Sequence, residues 1–222
     1  MKRIVALLIA LTLVFALVSC GDEVTGLDTV NSIYENSEPT KVVTVMTQNV
    51  GSMQLTGTYT LTVGQIDGKS ATSYVAEYQE FDTVENNTGE YVNGPLVTVV
   101  ESKEYVEGRG LRVNGGRWDT NGDNFAPEKG SWELVLTEEL VGEYTFEDNV
   151  FTCVLTAENA NTVFGGSTEF DSDVELSITT NGVEITGVSF SYVIDSKGDY
   201  PEIKVTVQTA YTYAIEAITL VK

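Results

Sequence analysis

The sequence predicts a mainly β protein: one antiparallel sheet of about ten strands with two or three short helices. Three observations carry that expectation. Runs rich in Val, Thr and Tyr recur from residue 41 onward, separated by Gly and Asn punctuation. An Asn181-Gly182 pair lies between two alternating runs, a strong short-range hairpin signal. In the final hairpin the alternation is one-sided, with apolar residues on one face and polar residues on the other.

The chain opens with Lys2 and Arg3, and Ile4 to Val18 is then apolar except for Thr12. A membrane-spanning helix needs about 20 apolar residues, so this run is too short to span and fits the h-region of a secretory signal. An ordinary signal ends in small residues, whereas this one ends Leu17-Val18-Ser19-Cys20. That ending resembles the bacterial lipobox. The resemblance implies a signal peptide over 1–19, cleavage before Cys20, and diacylglycerol attached to the Cys20 thiol. Two or three acyl chains hold a protein in a bilayer where a single chain does not. Cys20 is therefore the expected lipid-attachment site, and a plain signal peptide followed by a stray cysteine is the alternative. The expected location is a membrane-anchored lipoprotein facing outside the cytoplasm, at a cell surface or in a periplasm.

Residues 20–40 are expected to form the lipidated N-terminus and a short helix, and residues 41–222 a single antiparallel β domain. Within 22–37, Leu27, Val30, Ile33 and Tyr34 fall near helical spacing with acids early, which predicts an amphipathic helix that stops before Pro39. The period then changes to two. Strands are predicted over 41–48, 55–63, 71–81, 95–105 and 110–113, with turn residues clustered in 64–70, 86–90 and 113–117. Farther on come a strand at 131–136, a helical turn at 137–140 and a strand at 149–155. A further helix starts with Thr156 as N-cap, presents Val163 and Phe164, and stops at Gly165. Strands over 174–180, 183–194 and 200–213 and a last strand-like segment over 214–221 complete the chain.

Val188, Phe190, Tyr192 and Ile194 share one face of 183–194, and Ile203, Val205 and Val207 share one face of 200–213. Ser189, Ser191, Lys204, Thr206 and Gln208 point the other way, so one face is dry and the other wet. The phase slips between Ile185 and Val188 at Gly187, which predicts a bulge that bends the sheet. A long bent sheet with one apolar face closes on itself, meets a second sheet, or is covered by helices and a ligand. A two-sheet sandwich thus stands as the alternative fold, and the seven apolar residues are the candidate lining of a ligand cavity.

Removal of residues 1–19 leaves 203 residues, in which 10 Lys and Arg face 33 Asp and Glu. That length supports one domain with a sizeable core. The charge repels nucleic acid and anionic headgroups and favours solubility outside the cell, so no nucleic-acid partner is expected. The chain contains no histidine, which removes Ser-His-Asp and Cys-His catalysis and imidazole metal sites together. Once Cys20 is acylated, Cys153 is the remaining thiol, and its apolar neighbours make it a small buried hydrophobe. Carboxylate pairs perform glycoside hydrolysis, but among 33 acids a pair arises by chance. The expectation is a protein that is not an enzyme and holds no cofactor.

The loop over 117–132 has Trp118 and Trp132 near its ends, and Asp119, Asn121 and Asp123 match the first half of a calcium loop. The match then fails, because glycine falls at its fourth position instead of its sixth and Gly130 stands where a bidentate Glu is needed. It reads as a polar hairpin tip with the Trp side chains packed at its base, and no metal site is expected. The eleven tyrosines suggest a sugar-stacking platform, yet Tyr59, Tyr74, Tyr78 and Tyr192 sit inside strands, where tyrosine is favoured anyway. Asn86-Asn87-Thr88 matches a glycosylation sequon and in a bacterial lipoprotein reads as a loop.

A lipobox, a short helix, the strand pattern of 55–74, the segments 151–166 and 174–198, the run 203–213 and the close at 218–222 follow one another in a recognisable order. That order resembles the LolA/LppX-type lipoprotein half-barrels, and Val221 stands where related lipoproteins of Gram-positive bacteria carry proline. The resemblance implies a curled antiparallel sheet wrapped around helices, an apolar cavity, and binding or carriage of a lipid or other hydrophobic ligand. It transfers no particular functional residue. The competing expectation is a membrane-tethered β-sandwich adhesion or carbohydrate-binding module.

Overall fold

A computed structural model describes residues 25–125, 136–164, 169–195, 201–214 and 217–220. The expectations for the signal peptide, for Cys20, Gly130, Trp132 and Gly165, and for residues 131–135 lie outside the described residues.

Ten strands form one antiparallel sheet: β1 (Lys41–Val50), β2 (Met53–Ile66), β3 (Lys69–Glu85), β4 (Tyr91–Val106), β5 (Gly110–Val113), β6 (Tyr144–Glu147), β7 (Val150–Leu155), β8 (Val174–Thr180), β9 (Ile185–Ile194) and β10 (Ile203–Thr212). Their order is β5-β4-β3-β2-β1-β10-β9-β8-β7-β6, curled and not closed into a barrel. This is the single curled sheet, and the two-sheet sandwich does not form. Each half of the chain is a meander, because two-residue turns suffice between antiparallel neighbours. Asp67-Gly68 and Asp148-Asn149 make such turns with φ of 53° and 76°, and of 50° and 63°, the left-handed pair whose twist matches the flanking strands. The halves join at the centre, where β1 pairs with β10 from Lys41↔Thr212 to Val50↔Ile203.

Three short helices accompany the sheet: α1 (Gly26–Glu35), α2 (Glu138–Val141) and α3 (Ala157–Phe164). Thr25 caps α1 in a capping box, its hydroxyl accepting from the Asp28 N–H while the Asp28 carboxylate accepts from the Thr25 N–H. Leu27, Val30 and Ile33 then fall on one buried stripe. Thr156 accepts from the Asn159 N–H at the start of α3, as its N-cap position predicts. The helices pack over β6 to β9. There they bury Leu27, Val30, Ile33, Ala160 and Val163 against Phe151, Leu155, Leu176, Ile178 and their neighbours.

The far end of the sheet is tied differently. Glu104 on β4 is fully buried and faces Arg112 on β5, whose Nε and Nη2 donate to the same carboxylate oxygen at 2.7 and 2.6 Å. The Arg112 guanidinium in turn lies 4.9 Å over the Trp118 ring. Asp119 pairs with Leu111 through both backbone bonds, and the Thr72 hydroxyl donates to Asn124. The segment 114–125 is thereby folded back onto β3 to β5.

Several elements depart from expectation. β6 carries no predicted strand, because four residues are too few for alternation to stand out. Among the described residues of 214–221 no strand forms; Ala217 makes one isolated parallel bridge to Gln65. The connection at Asn181-Gly182 is wider than a two-residue turn. Asn181 Oδ1 accepts from the N–H groups of Val183 and Glu184, and β9 begins at Ile185. The slip at Gly187 is present: Thr179 pairs with Gly187 but Thr180 with Ile185, leaving Thr186 as the extra residue.

Candidate functional site

Directly opposed residues of antiparallel strands share a face, so the register traces the helix-bearing face across the whole sheet. One row runs Tyr144, Cys153, Leu176, Phe190, Val207, Met46, Gly57, Tyr78 and Val99, from β6 to β4. A second runs Ile194, Ile203, Val50 and Met53. The face is largely apolar on both sides of the central strand pair, with Thr44, Gln48 and Thr209 as polar positions, and the helices make most of their sheet contacts with β6 to β9. On β1 every residue is half-buried, and so are Met53, Leu55, Tyr59 and Leu61 of β2.

The seven candidate residues all lie on this face, with Tyr192 opposite Val205, Phe190 opposite Val207 and Ile194 opposite Ile203. They divide by burial. Val188, Tyr192, Val205 and Val207 are buried in the core, whereas Phe190, Ile194 and Ile203 are half-buried and pack at its margin. Phe190 meets Phe164 of α3 at 4.6 Å between ring centres, and Phe170 stands edge-on to both Phe190 and Tyr192 at 6.4 and 4.8 Å. Asn161 places Phe170 by bonding both its N–H and its C=O, and Ser172 clips the segment to Val193. The margin is thus an aromatic rim: Phe164 and Phe170 above, and Phe190, Ile194 and Ile203 below, with Met46 beside them on β1. Phe170 and Met46 escaped the sequence reading. Phe170 sits in an irregular segment with no period, and Met46 gains its place through the long-range β1–β10 pairing.

The tyrosines separate in the same way. Tyr192 is core, its hydroxyl pKa raised by burial. Tyr211 packs against the core, where burial raises its pKa strongly with Tyr34 and Tyr213 nearby. Tyr213 donates to the Ile185 carbonyl at 2.6 Å. Tyr59, Tyr74 and Tyr78 instead gather on the helix-bearing face of β2 and β3, half-buried.

Cys153 is buried, and burial pushes its thiol up to about 11, so it is protonated and poorly nucleophilic at neutral pH. Cys153 is itself one of the residues lining a surface depression of about 660 Å3 at β6 to β8, with Glu143, Tyr144, Thr152, Glu175 and Leu176. The depression contains none of the seven candidate residues. Among the described residues no three Cys, Asp or Glu side chains converge as metal ligands. In the loop that begins at 117, Asp119 Oδ1 accepts from the Asn121 N–H, an Asx turn.

No family model matches the chain, and no curated protein matches it. Among solved structures it is similar to the crystal structure of a DUF1329 family protein from Desulfovibrio piger. The identity is 9%, over 87% of this chain and 93% of that one, with a TM-score of 0.28. A likeness of that degree assigns neither family nor activity.

Proposed function

We propose that the protein is an extracytoplasmic lipoprotein, anchored through acylated Cys20, that binds or carries a lipid or other hydrophobic ligand and performs no catalysis. The observation that supports this reading is the largely apolar face, interrupted by Thr44, Gln48 and Thr209, buried from β7 to β10 and half-open over β1 and β2. Apolar ligand sites are lined in this way, with aromatic and aliphatic side chains meeting a few polar groups. The ligand would lie along Met46, Val50 and Leu55 with one end under the aromatic rim at Phe164 and Phe190. The open curled sheet with helices on one face is in keeping with a LolA/LppX-type half-barrel. The non-catalytic part of the reading draws on a chain without histidine and on a buried Cys153 thiol that stays protonated.

The test pairs binding with stability. Native mass spectrometry of the full-length protein is expected to show a co-purifying apolar species, and a fluorescent fatty acid is expected to bind. Phe190→Ala removes a half-buried ring, so it costs less than the ~3–5 kcal/mol of a fully buried Phe; we expect about 2 kcal/mol, with at least tenfold weaker probe binding. Wild-type protein that binds no apolar probe would overturn the reading. Cys20→Ser is expected to remove the acyl mass, and an unacylated wild type would refute the anchor.

A further inference from the structure

Tyr59, Tyr74 and Tyr78 sit at the β2–β3 end of the helix-bearing face, away from the strands over which the helices pack. Tyr78 lies opposite Gly57, and Tyr59 lies opposite Ala76. The glycine decides how Tyr59 rests. A Cβ at Gly57 would stand 2.9 Å from the Tyr59 Oη and 3.1 and 3.2 Å from its Cε2 and Cζ. The ring therefore folds back along its own strand and lies over the Gly57 backbone. Tyr78 is 6.5 Å away between ring centres, with the two planes within 14°. That is the wide end of the ~4.5–7 Å range for aromatic pairs, so the rings form a near-parallel, offset pair. Two of the smallest side chains, Gly57 and Ala76, are their cross-strand neighbours and leave them room to settle. The result is a near-parallel pair of half-exposed rings on one face, with Glu101 at its edge. Glu101 lies opposite Ala76, in one cross-strand row with Tyr59, and its charge raises the pKa of Tyr78 and of Tyr74.

We propose that Tyr59 and Tyr78, with Glu101 at their edge, form a binding platform for the pyranose rings of a neutral polysaccharide. An aromatic face is electron-rich, and it attracts the weakly positive C–H face of a sugar ring, which is flat and of matching size. The Tyr hydroxyls and the Glu101 carboxylate provide donors and an acceptor for sugar hydroxyls at the platform edge. A rounded ammonium ligand is held by rings that surround it, and two near-parallel rings do not. Uronic and sulfated chains are disfavoured, because Glu80 and Glu101 flank the rings in a protein of net charge −21. The platform adjoins the apolar-ligand face, since Met46 lies opposite Gly57, so polysaccharide retention and fatty-acid binding are measured separately on each variant.

Native affinity electrophoresis of the full-length protein tests it, in gels containing hydroxyethylcellulose, xyloglucan, laminarin, dextran or galactomannan, with carboxymethylcellulose as the anionic control. At least one neutral polysaccharide is expected to retard the protein, and carboxymethylcellulose is not. Tyr59→Ala and Tyr78→Thr are expected to weaken retention at least tenfold, and Tyr59→Phe less than threefold. Gly57→Ala keeps both rings but lifts Tyr59 off the sheet, so it too is expected to weaken retention; it serves as the second variant if an aromatic deletion fails to fold. Phe190→Ala, at the aromatic rim, is expected to leave retention unchanged. No retardation by any of the five neutral polymers overturns the proposal, and so does retention that survives both Tyr59→Ala and Tyr78→Thr. If Tyr78→Thr abolishes fatty-acid binding while no polysaccharide binds, the platform belongs to the apolar site: this proposal falls and the apolar-ligand reading stands.

Discussion

Removing the Arg112 guanidinium is expected to be among the costliest substitutions in the β3–β5 end of the sheet. Glu104 has no side-chain exposure, and Arg112 keeps 15%, so the carboxylate depends on the guanidinium more than the reverse. Two donors converge on one carboxylate oxygen at 2.6 and 2.7 Å, the short charge-assisted geometry that makes such a pair strong. Arg112→Ala leaves a buried carboxylate without its cation, which costs about 3–5 kcal/mol. Loss of the guanidinium over Trp118 adds about 0.5–1 kcal/mol. Against a total stability of about 5–15 kcal/mol, that is a third or more in typical cases. With a urea m-value of about 2 kcal/mol/M, the midpoint falls by about 2 M. Glu104→Ala should cost less, because the freed guanidinium still reaches water. Replacing both partners with apolar residues, Glu104→Leu with Arg112→Met, should recover most of the loss, since a buried pair repays little beyond its own desolvation. Urea unfolding of the four proteins, followed by Trp fluorescence, provides the cycle. A cost below about 1 kcal/mol for Arg112→Ala, the value of an exposed pair, would refute the argument.

Three further outcomes follow from single sites. Thr25→Ala removes one side of the capping box on α1 and should cost about 1 kcal/mol, read as a fall in Tm of about 2–4 °C; an unchanged Tm would mean the cap contributes nothing. Gly110 has φ of +89°, and a Cβ there would meet the Asp119 carbonyl oxygen at 1.9 Å, so Gly110→Ala should cost about 3 kcal/mol by adding left-handed strain and breaking the Leu111–Asp119 bridge. Cys153 should resist a thiol reagent at pH 8 until the protein unfolds. Its folded pKa, raised to about 11 from 9.0, means the unfolded state loses its proton first, so this stability term is intact below pH 9 and is lost between pH 9 and 11, by at most ~3 kcal/mol. A native protein that reacts as fast as the denatured one would contradict that burial.

The local periods of the chain carried much of the architecture. Alternation at two marks β2, β8, β9 and β10, because side chains on a pleated strand must point alternately to core and solvent, while β1 is marked by its Val and Thr content. The spacing of Leu27, Val30 and Ile33 marks α1, and the broken phase at Gly187 marks the bulge. A short strand carries too little period to read, which is why β6 was missed.

Tertiary structure alone decided which stretch of the apolar face is covered. Met46 and Val207 face one another across one ladder, yet Val207 belongs to the core that includes the helix residues Leu27, Val30 and Val163, whereas Met46 only packs against it, half-open. Glu104 reads in the sequence as one polar residue of an alternating strand, and it is buried only because β5 returns Arg112 beside it. The convergence of Tyr59 and Tyr78 depends in the same way on the register that sets Gly57 opposite Tyr78. A periodic sequence states which side of a strand avoids water; which partner covers that side is settled by contacts between residues far apart in the chain, and no local period encodes them.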